Sequence, residues 1–454
     1  MHENDISRRE FLKHNSIAGM GIIASGISSP IFSNNTHASK PAILGGKPVL
    51  NTTWVQWPIW NPDTDEKLVF DTLRSGVWSR DKIVSEFEKQ WASKIGMKRC
   101  LATVNGTNAM IASLTQLNIG GGDEVIIPAY TFIATALAVL ATGAMPVFVD
   151  TDPQTFQFDS SKIESKITSR TRAILPVHLA GLPVDMVRVM EIAKKHDLVV
   201  VEDACQAHLA EINNKKVGTF GQAGCFSFQN SKNLPIGEGG AIVSNDDSFM
   251  DRCYAYHNFG QAYGSVPGKG SVVNGNKLRL TEYQAAVGIV QLTRVEVQSN
   301  TRSENAAYLK SQLEKIPGIV PYKLYENVTR AAYHFFPFRY EKKEFRDLPR
   351  SVFIDALNAE GVPCFRGYES ITDKPYLEDA FTSKNFKKMH PPQALDIKRY
   401  FELNRCPVND RICNEEAVWF TQNLLLSGKT EMDGIVAAIE KIHKNAEAIK
   451  KHIK

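Results

Sequence analysis

The chain has too few cysteines, too widely spread, for a metal ribbon or a disulfide scaffold. There are seven, an odd number, scattered from Cys100 to Cys413 with no CxxC spacing. It has no long block of one charge sign apart from a basic finish, and 53 Lys plus Arg against 49 Asp plus Glu leave a net charge of only +4. That balance argues against a nucleic-acid partner. Lys441, Lys444, Lys450, Lys451 and Lys454 read as the solvated end of a terminal helix. No run of 18 apolar residues is present, so no membrane-spanning helix is expected. Internal repeats and low-complexity segments are also lacking. What is there is 454 residues, 43% of them hydrophobic and 22% charged. A single hydrophobic core seldom grows past about 250 to 300 residues, so this length implies more than one domain.

The N-terminus has an order of its own. Ser7-Arg8-Arg9-Glu10-Phe11-Leu12-Lys13 sets two adjacent arginines before an apolar, small-residue stretch from Ile17 to Ile27, then Ser28-Ser29-Pro30 and a polar tail. This is the pattern of a twin-arginine export signal over residues 1–38, with small residues near Thr36-His37-Ala38 as a peptidase site. The apolar stretch falls short of the roughly 20 residues a spanning helix needs, and no cysteine follows it for lipid attachment. A periplasmic mature protein, free of the membrane once the signal is removed, is expected. The alternative is a cytoplasmic protein with a frayed amphipathic start.

From about residue 100 to 245, short apolar runs alternate with amphipathic stretches, which predicts an α/β domain. The runs are Glu124–Ile127, Pro146–Val149, Ala173–Val177, Leu198–Val201, Cys225–Phe228 and Ala241–Val243. Continuous apolar strands imply a mostly parallel sheet covered on both faces, and the last two lie close enough for a hairpin or a reversed strand. Helical spacing covers Asn108–Leu117, Ala134–Ala141 and Asp185–Lys195, with Thr107 and Asp185 as candidate starts. Residues 262–275 are glycine-rich and read as a flexible loop. Beyond them Leu280–Thr293, Asn300–Lys315, Ser351–Glu360 and Met432–Lys450 read as helices and Ala332–Arg339 as a strand. The boundary between a large domain (39–299) and a smaller α+β C-terminal domain (300–454) is placed near Asn300.

Three segments carry chemistry. In Gly224-Cys-Phe-Ser-Phe-Gln-Asn-Ser-Lys-Asn-Leu-Pro-Ile-Gly-Glu-Gly-Gly240, Lys232 follows a strand and precedes a glycine-rich turn, where it can reach a ligand at the sheet edge. On local grounds a solvated lysine in a tight turn explains this as well. Leu198-Val-Val-Val-Glu-Asp-Ala-Cys-Gln206 is a buried strand ending in Glu202 and Asp203, at the carboxyl end where open α/β sheets bind ligands. A helix-capping aspartate is the alternative. Val104-Asn-Gly-Thr-Asn-Ala109 is a small polar turn before a helix, suited to a phosphate or to an ordinary cap. Together a lysine, a carboxylate and a helix N-terminus are the parts that pyridoxal phosphate requires.

With these motifs in this order, the sequence resembles the DegT/DnrJ/StrS aminotransferases. The resemblance runs from Leu44-Gly-Gly-Lys-Pro48 through Asn105-Gly-Thr-Asn108, Gly122-Asp-Glu-Val-Ile-Ile-Pro128, Pro176-Val-His-Leu-Ala-Gly181, Glu202-Asp-Ala-Cys-Gln206 and Leu278-Arg-Leu-Thr-Glu-Tyr-Gln-Ala-Ala286 to the Met432-Asp433 helix. It implies a fold type I, aspartate-aminotransferase-like architecture and transfer of an amino group from glutamate or glutamine to a keto-sugar or keto-cyclitol. Gly361–Tyr368 and Cys406–Val408 resemble the cyclitol branch. Carried over, it makes Lys232 the Schiff-base lysine and Asp203 the partner of the pyridine nitrogen. Gln206 becomes the contact of the phenolic oxygen and Phe132 the ring stacked on the cofactor. Gly106, Thr107, Asn108 and Ser227 become the phosphate cradle. Asn276 matches a residue donated across a homodimer interface, and His334 a substrate-side histidine. Arg279 reads as a dimer salt bridge in preference to a substrate contact. No metal site is expected. The export signal departs from a mostly cytosolic family and leaves two alternatives open: an exported binding or sensory protein on this fold, or a pyridoxal enzyme with another reaction outcome.

Overall fold

Seven strands form the central sheet: β1 (Arg99–Thr103), β2 (Glu124–Pro128), β3 (Met145–Val149), β4 (Thr171–Ile174), β5 (Val199–Asp203), β6 (Ala223–Ser227) and β7 (Gly240–Ser244). They are taken from a computed structural model that describes residues 40–453, so the export-signal segment lies outside the described residues. The spatial order is β1-β7-β6-β5-β4-β2-β3. From β3 across to β6 every pair is parallel, while β7 runs antiparallel to both β6 and β1. The closely spaced last two runs are thus a strand and its reversed neighbour.

Strands β2, β6 and β7 are buried at every position. Consecutive side chains alternate between two hydrophobic clusters, because a strand points them to opposite faces. Val125, Ile127, Val201, Cys225 and Ile242 enter one cluster, and Ile126, Val200, Phe226, Ala241 and Val243 the other. Both faces of the sheet are therefore covered, as unbroken apolar runs require. Strand β1 carries a short apolar run, Cys100–Ala102, between polar ends at Arg99 and Thr103, and the sequence reading passed over it.

Two local expectations are corrected. The helix Gly106–Gln116 is capped by Asn105 in place of Thr107, because the extended Asn105 backbone lets its side-chain oxygen accept from Asn108 N at 2.8 Å. Residues 262–275 are not a plain loop. Gln261–Tyr263 and Val266–Ser271 pair as an antiparallel hairpin, which needs backbone groups and turn glycines but no apolar pattern. It is pinned to the preceding helix where Asp251 accepts from Ser265 N at 2.8 Å and Tyr263 stacks on Tyr254 at 3.7 Å. Asp185 does cap Met186–Lys195, accepting from Arg188 N.

A second, antiparallel sheet holds β8 (Ile319–Pro321), β9 (Phe335–Tyr340) and β10 (Ala417–Thr421). Strand β9 begins at Phe335 and not at Ala332, since Tyr333 takes a left-handed φ of 54° that no strand accepts. The helix Val295–Leu313 runs unbroken through Asn300. One hydrophobic cluster contains Val125 of the large sheet, Phe338 of the small sheet and Ile435 of the terminal helix.

Strand β3 ends the large sheet and would expose unpaired backbone groups. Residues 390–409 cover that edge. His390 Nε2 meets Gly143 O at 2.8 Å, Tyr400 OH donates to Pro146 O at 2.7 Å, and Asn404 Oδ1 accepts from Phe148 N at 2.8 Å. Asp150 accepts in turn from Asn409 N at 2.9 Å. Asn404→Ala leaves the buried Phe148 N–H without its acceptor and is expected to cost about 1–3 kcal/mol of stability. Urea unfolding measures it, and an unchanged midpoint would show that the edge is held by other contacts.

Candidate active site

Strand β5 ends in two carboxylates that face opposite sides of the sheet. Glu202, fully buried, accepts from Gly218 N, Phe220 N and Gly221 N at 2.7, 2.6 and 2.8 Å and meets His178 Nε2 at 3.2 Å. Because His178 Nδ1 accepts from Val184 N at 3.1 Å, the ring proton sits on Nε2 and points at Glu202. Glu202 is thereby spent on holding the turn ahead of β6. Asp203 faces the other way, accepting from Thr135 Oγ1 at 2.9 Å and from Cys205 N at 3.1 Å. Thr135 is itself 3.0 Å from Thr131 Oγ1. The sequence reading missed Thr135, which lies in the first turn of the helix Ala134–Ala141, while Thr131 precedes that helix.

Lys232 sits in the loop beyond β6, with Nζ 3.5 Å from His334 Nε2 and no carboxylate ion pair among the described residues. Burial holds its ammonium below the ordinary lysine range, while Cys205 and Asp203 act the other way. Asn233 Nδ2 donates to Ala332 O at 2.7 Å and so ties the lysine loop to the segment carrying His334. His334 is 1% exposed, and its Nδ1 has no protein partner. Burial, then the nearby Lys232, His208 and Arg302, hold this imidazole well below its usual range. His208, also unread in the sequence, meets Ser227 O through Nε2 at 2.9 Å and leaves Nδ1 unpaired; burial and Lys232 bring it down to about 3.

Gly106 opens its helix against β6. A Cβ there would stand 2.6 Å from Cys205 Sγ and 2.9 Å from Ser227 Cβ, so only glycine fits. Thr107 and Asn108 complete the first turn, and Asn108 Nδ2 donates to Asn105 Oδ1 at 3.0 Å. The leading amides of this 11-residue helix precede any intrahelical acceptor and favour an anion. Gln206 Oε1 accepts from Ala180 N at 2.7 Å and its Nε2 donates to Tyr368 OH at 3.1 Å. Phe132 is half-exposed, its ring 5.6 Å from that of Tyr368. Asn276 is exposed, and its side chain bonds only to Lys277 N among the described residues. The Arg279 guanidinium lies 5.5 Å from the Phe259 ring and meets no carboxylate among the described residues.

The structure thus brings Gly106 against Ser227, Asp203 against Thr135, and Lys232 against His334, and leaves Asn276 at the surface. A half-buried lysine with no ion pair among the described residues, orphaned imidazole nitrogens on His208 and His334, and a glycine-tight helix N-terminus fit an anionic carbonyl cofactor such as pyridoxal phosphate.

Residues 62–398 match the model of the DegT/DnrJ/EryC1/StrS aminotransferase family. The chain belongs to that family. It is an aminotransferase dependent on pyridoxal phosphate. Among curated relatives, L-glutamine:2-deoxy-scyllo-inosose aminotransferase of Streptomyces lividus is 32% identical over 421 residues, covering 89% of this chain and 98% of that one. The 3-amino-5-hydroxybenzoate synthase of Amycolatopsis mediterranei is 32% identical over 380 residues, covering 83% and 94%. A crystal structure of 3-amino-5-hydroxybenzoic acid synthase superposes with a TM-score of 0.74 at 29% identity, over 89% of this chain and all of that one. The expected fold type I architecture holds for this aminotransferase. Among the described residues no helix is long and apolar enough to cross a membrane.

Proposed function

We propose that this aminotransferase moves the amino group of L-glutamine to a keto-cyclitol or keto-sugar. Support for the substrates comes from relatives at 30% and 32% identity named for glutamine and scyllo-inosose derivatives. The chemistry rests on one observation above all, the half-buried Lys232, with no ion pair among the described residues, beside His334.

When bound, pyridoxal phosphate supplies the electron sink for the pair left on a substrate carbon that loses its proton. Every proton is handled by the chain. With the cofactor bound, Lys232 Nζ, held below the ordinary lysine range, would take the proton from the amino-bearing carbon of the donor and later give it back. The Asp203 carboxylate, its orientation fixed by Thr135, would keep a proton on the pyridine nitrogen. Gly106, Thr107, Asn108 and Ser227 would hold the phosphate, Phe132 would cover the ring, and Gln206 would serve the phenolic oxygen. His334 accepts from the Lys232 ammonium on the substrate side.

The enzyme works as a homodimer in which Asn276 enters the partner's site and Arg279 bridges the interface. The surface position of Asn276 and an Arg279 that meets no carboxylate among the described residues, beside the exposed Phe259, support this. Export to the periplasm is supported by the Arg8-Arg9 signal order, and cell fractionation of the Arg8→Lys, Arg9→Lys variant tests it.

The donor assignment is tested by adding amino acids singly to holoenzyme and following the visible cofactor band. Glutamine is expected to bleach it, and a keto-inositol to restore it. A band untouched by glutamine would overturn the donor.

A further inference from the structure

Arg302 is fully buried, yet no carboxylate faces it among the described residues. Its Nε and Nη2 both donate to Gln422 Oε1, at 2.9 and 2.5 Å, while Nη1 has no partner. The Trp57 ring covers the guanidinium at 5.0 Å. A bare guanidinium is costly to bury, and burial brings this one down to about 9. As a purely structural feature it is hard to explain, since a methionine of similar volume would avoid that cost.

Its placement relates it to the active site. The β9–β10 ladder ends at the pair Phe335 and Thr421, and His334 and Gln422 are the residues immediately beyond that pair on the two strands. By clamping Gln422, Arg302 fixes the end of β10 alongside the histidine that meets Lys232. The adjacent Ser303 also reaches Ala331 O at 3.4 Å, so the helix contacts the segment leading into His334.

We propose that Arg302 is a positioning residue for the Lys232–His334 pair: it clamps Gln422 at the open end of the ladder and places a fixed positive charge behind the imidazole, so that His334 meets the lysine as a hydrogen-bond acceptor. This rests on the roles given above to Lys232 and His334. The charged and titratable groups around His334 are Lys232 from the loop after β6, His208 from the loop after β5, and Arg302 from the connecting helix. All three oppose its protonation. Removing the Arg302 charge therefore raises the pH at which His334 becomes a cation, and below that pH the ring can no longer accept from Lys232.

The test is the pH dependence of imidazole C2 hydrogen exchange at His334, read by mass spectrometry on the cofactor-free protein. Trypsin releases residues 331–339, in which His334 is the one histidine. In Arg302→Met and Arg302→Gln the midpoint is expected to move up, while Arg302→Lys keeps it near the parent value. The acid limb of the glutamine half-reaction should move in parallel. Midpoints unchanged in the neutral variants would overturn the proposal, and if the methionine variant does not fold, Arg302→Gln decides, because its amide can still meet Gln422. The exchange needs no turnover, so failure of the roles proposed for Lys232 and His334 would appear separately, as a parent enzyme that does not transaminate.

Discussion

Lys232→Ala is expected to lower transamination by at least about 10³-fold, while the protein still folds. The lysine supplies both the covalent attachment of the cofactor and the proton transfer, and the second alone contributes about 10²–10⁴-fold. Nothing in the fold depends on its charge, since Nζ has no ion pair among the described residues and approaches only His334, at 3.5 Å. Removing a half-buried ammonium that has no ion pair among the described residues should leave thermal stability equal or higher. Borohydride reduction of the parent should fix the yellow cofactor to the peptide containing Lys232, and the alanine variant should lose that label. A variant that keeps the label or the rate would place the reactive amine elsewhere. The retained fold separates loss of chemistry from loss of structure.

Asp203→Asn should be the second most damaging change, lowering the rate of the glutamine half-reaction by about 10²–10³-fold, with the cofactor still bound. The amide keeps the shape and one acceptor oxygen for Thr135 Oγ1 or Cys205 N, which now approach Asp203 at 2.9 and 3.1 Å. It cannot keep the pyridine nitrogen protonated, so the electron sink weakens while the pocket stays. Stopped-flow bleaching of the visible band measures this. A parental rate would show that ring protonation does not depend on Asp203. Asp203→Ala should add a stability loss of about 1–3 kcal/mol, because the buried Cys205 N–H then lacks its acceptor.

Much of this protein could be read in one dimension. Apolar runs located six of the seven central strands because a strand covered on both faces has no polar side to disguise it. Asp203 and Gly106 were legible because they follow or precede such runs at fixed offsets. The family's motifs supplied the lysine, whose local surroundings alone permitted a solvated reading. Strand β1 was passed over because its apolar run is short and its ends are polar, and the hairpin at 261–271 was hidden because backbone pairing leaves no side-chain period. Residues 390–409 gave no sign that they lie along β3, since Asn404 reaches Phe148 across 256 positions.

The sequence by itself determined which chemistry this chain can support, because a lysine, a carboxylate and a glycine-led helix start are properties of short segments. Only the tertiary structure decided how those groups are charged and aimed. Glu202 and Asp203 are neighbours in sequence, yet one anchors a turn and the other faces Thr135, because alternate residues of a strand look to opposite faces. His334 and Arg302 acquire their roles from contacts with Lys232 and Gln422, which lie roughly a hundred or more residues away. Burial sets their charge, and burial is a property of the packed molecule, absent from any local stretch of chain.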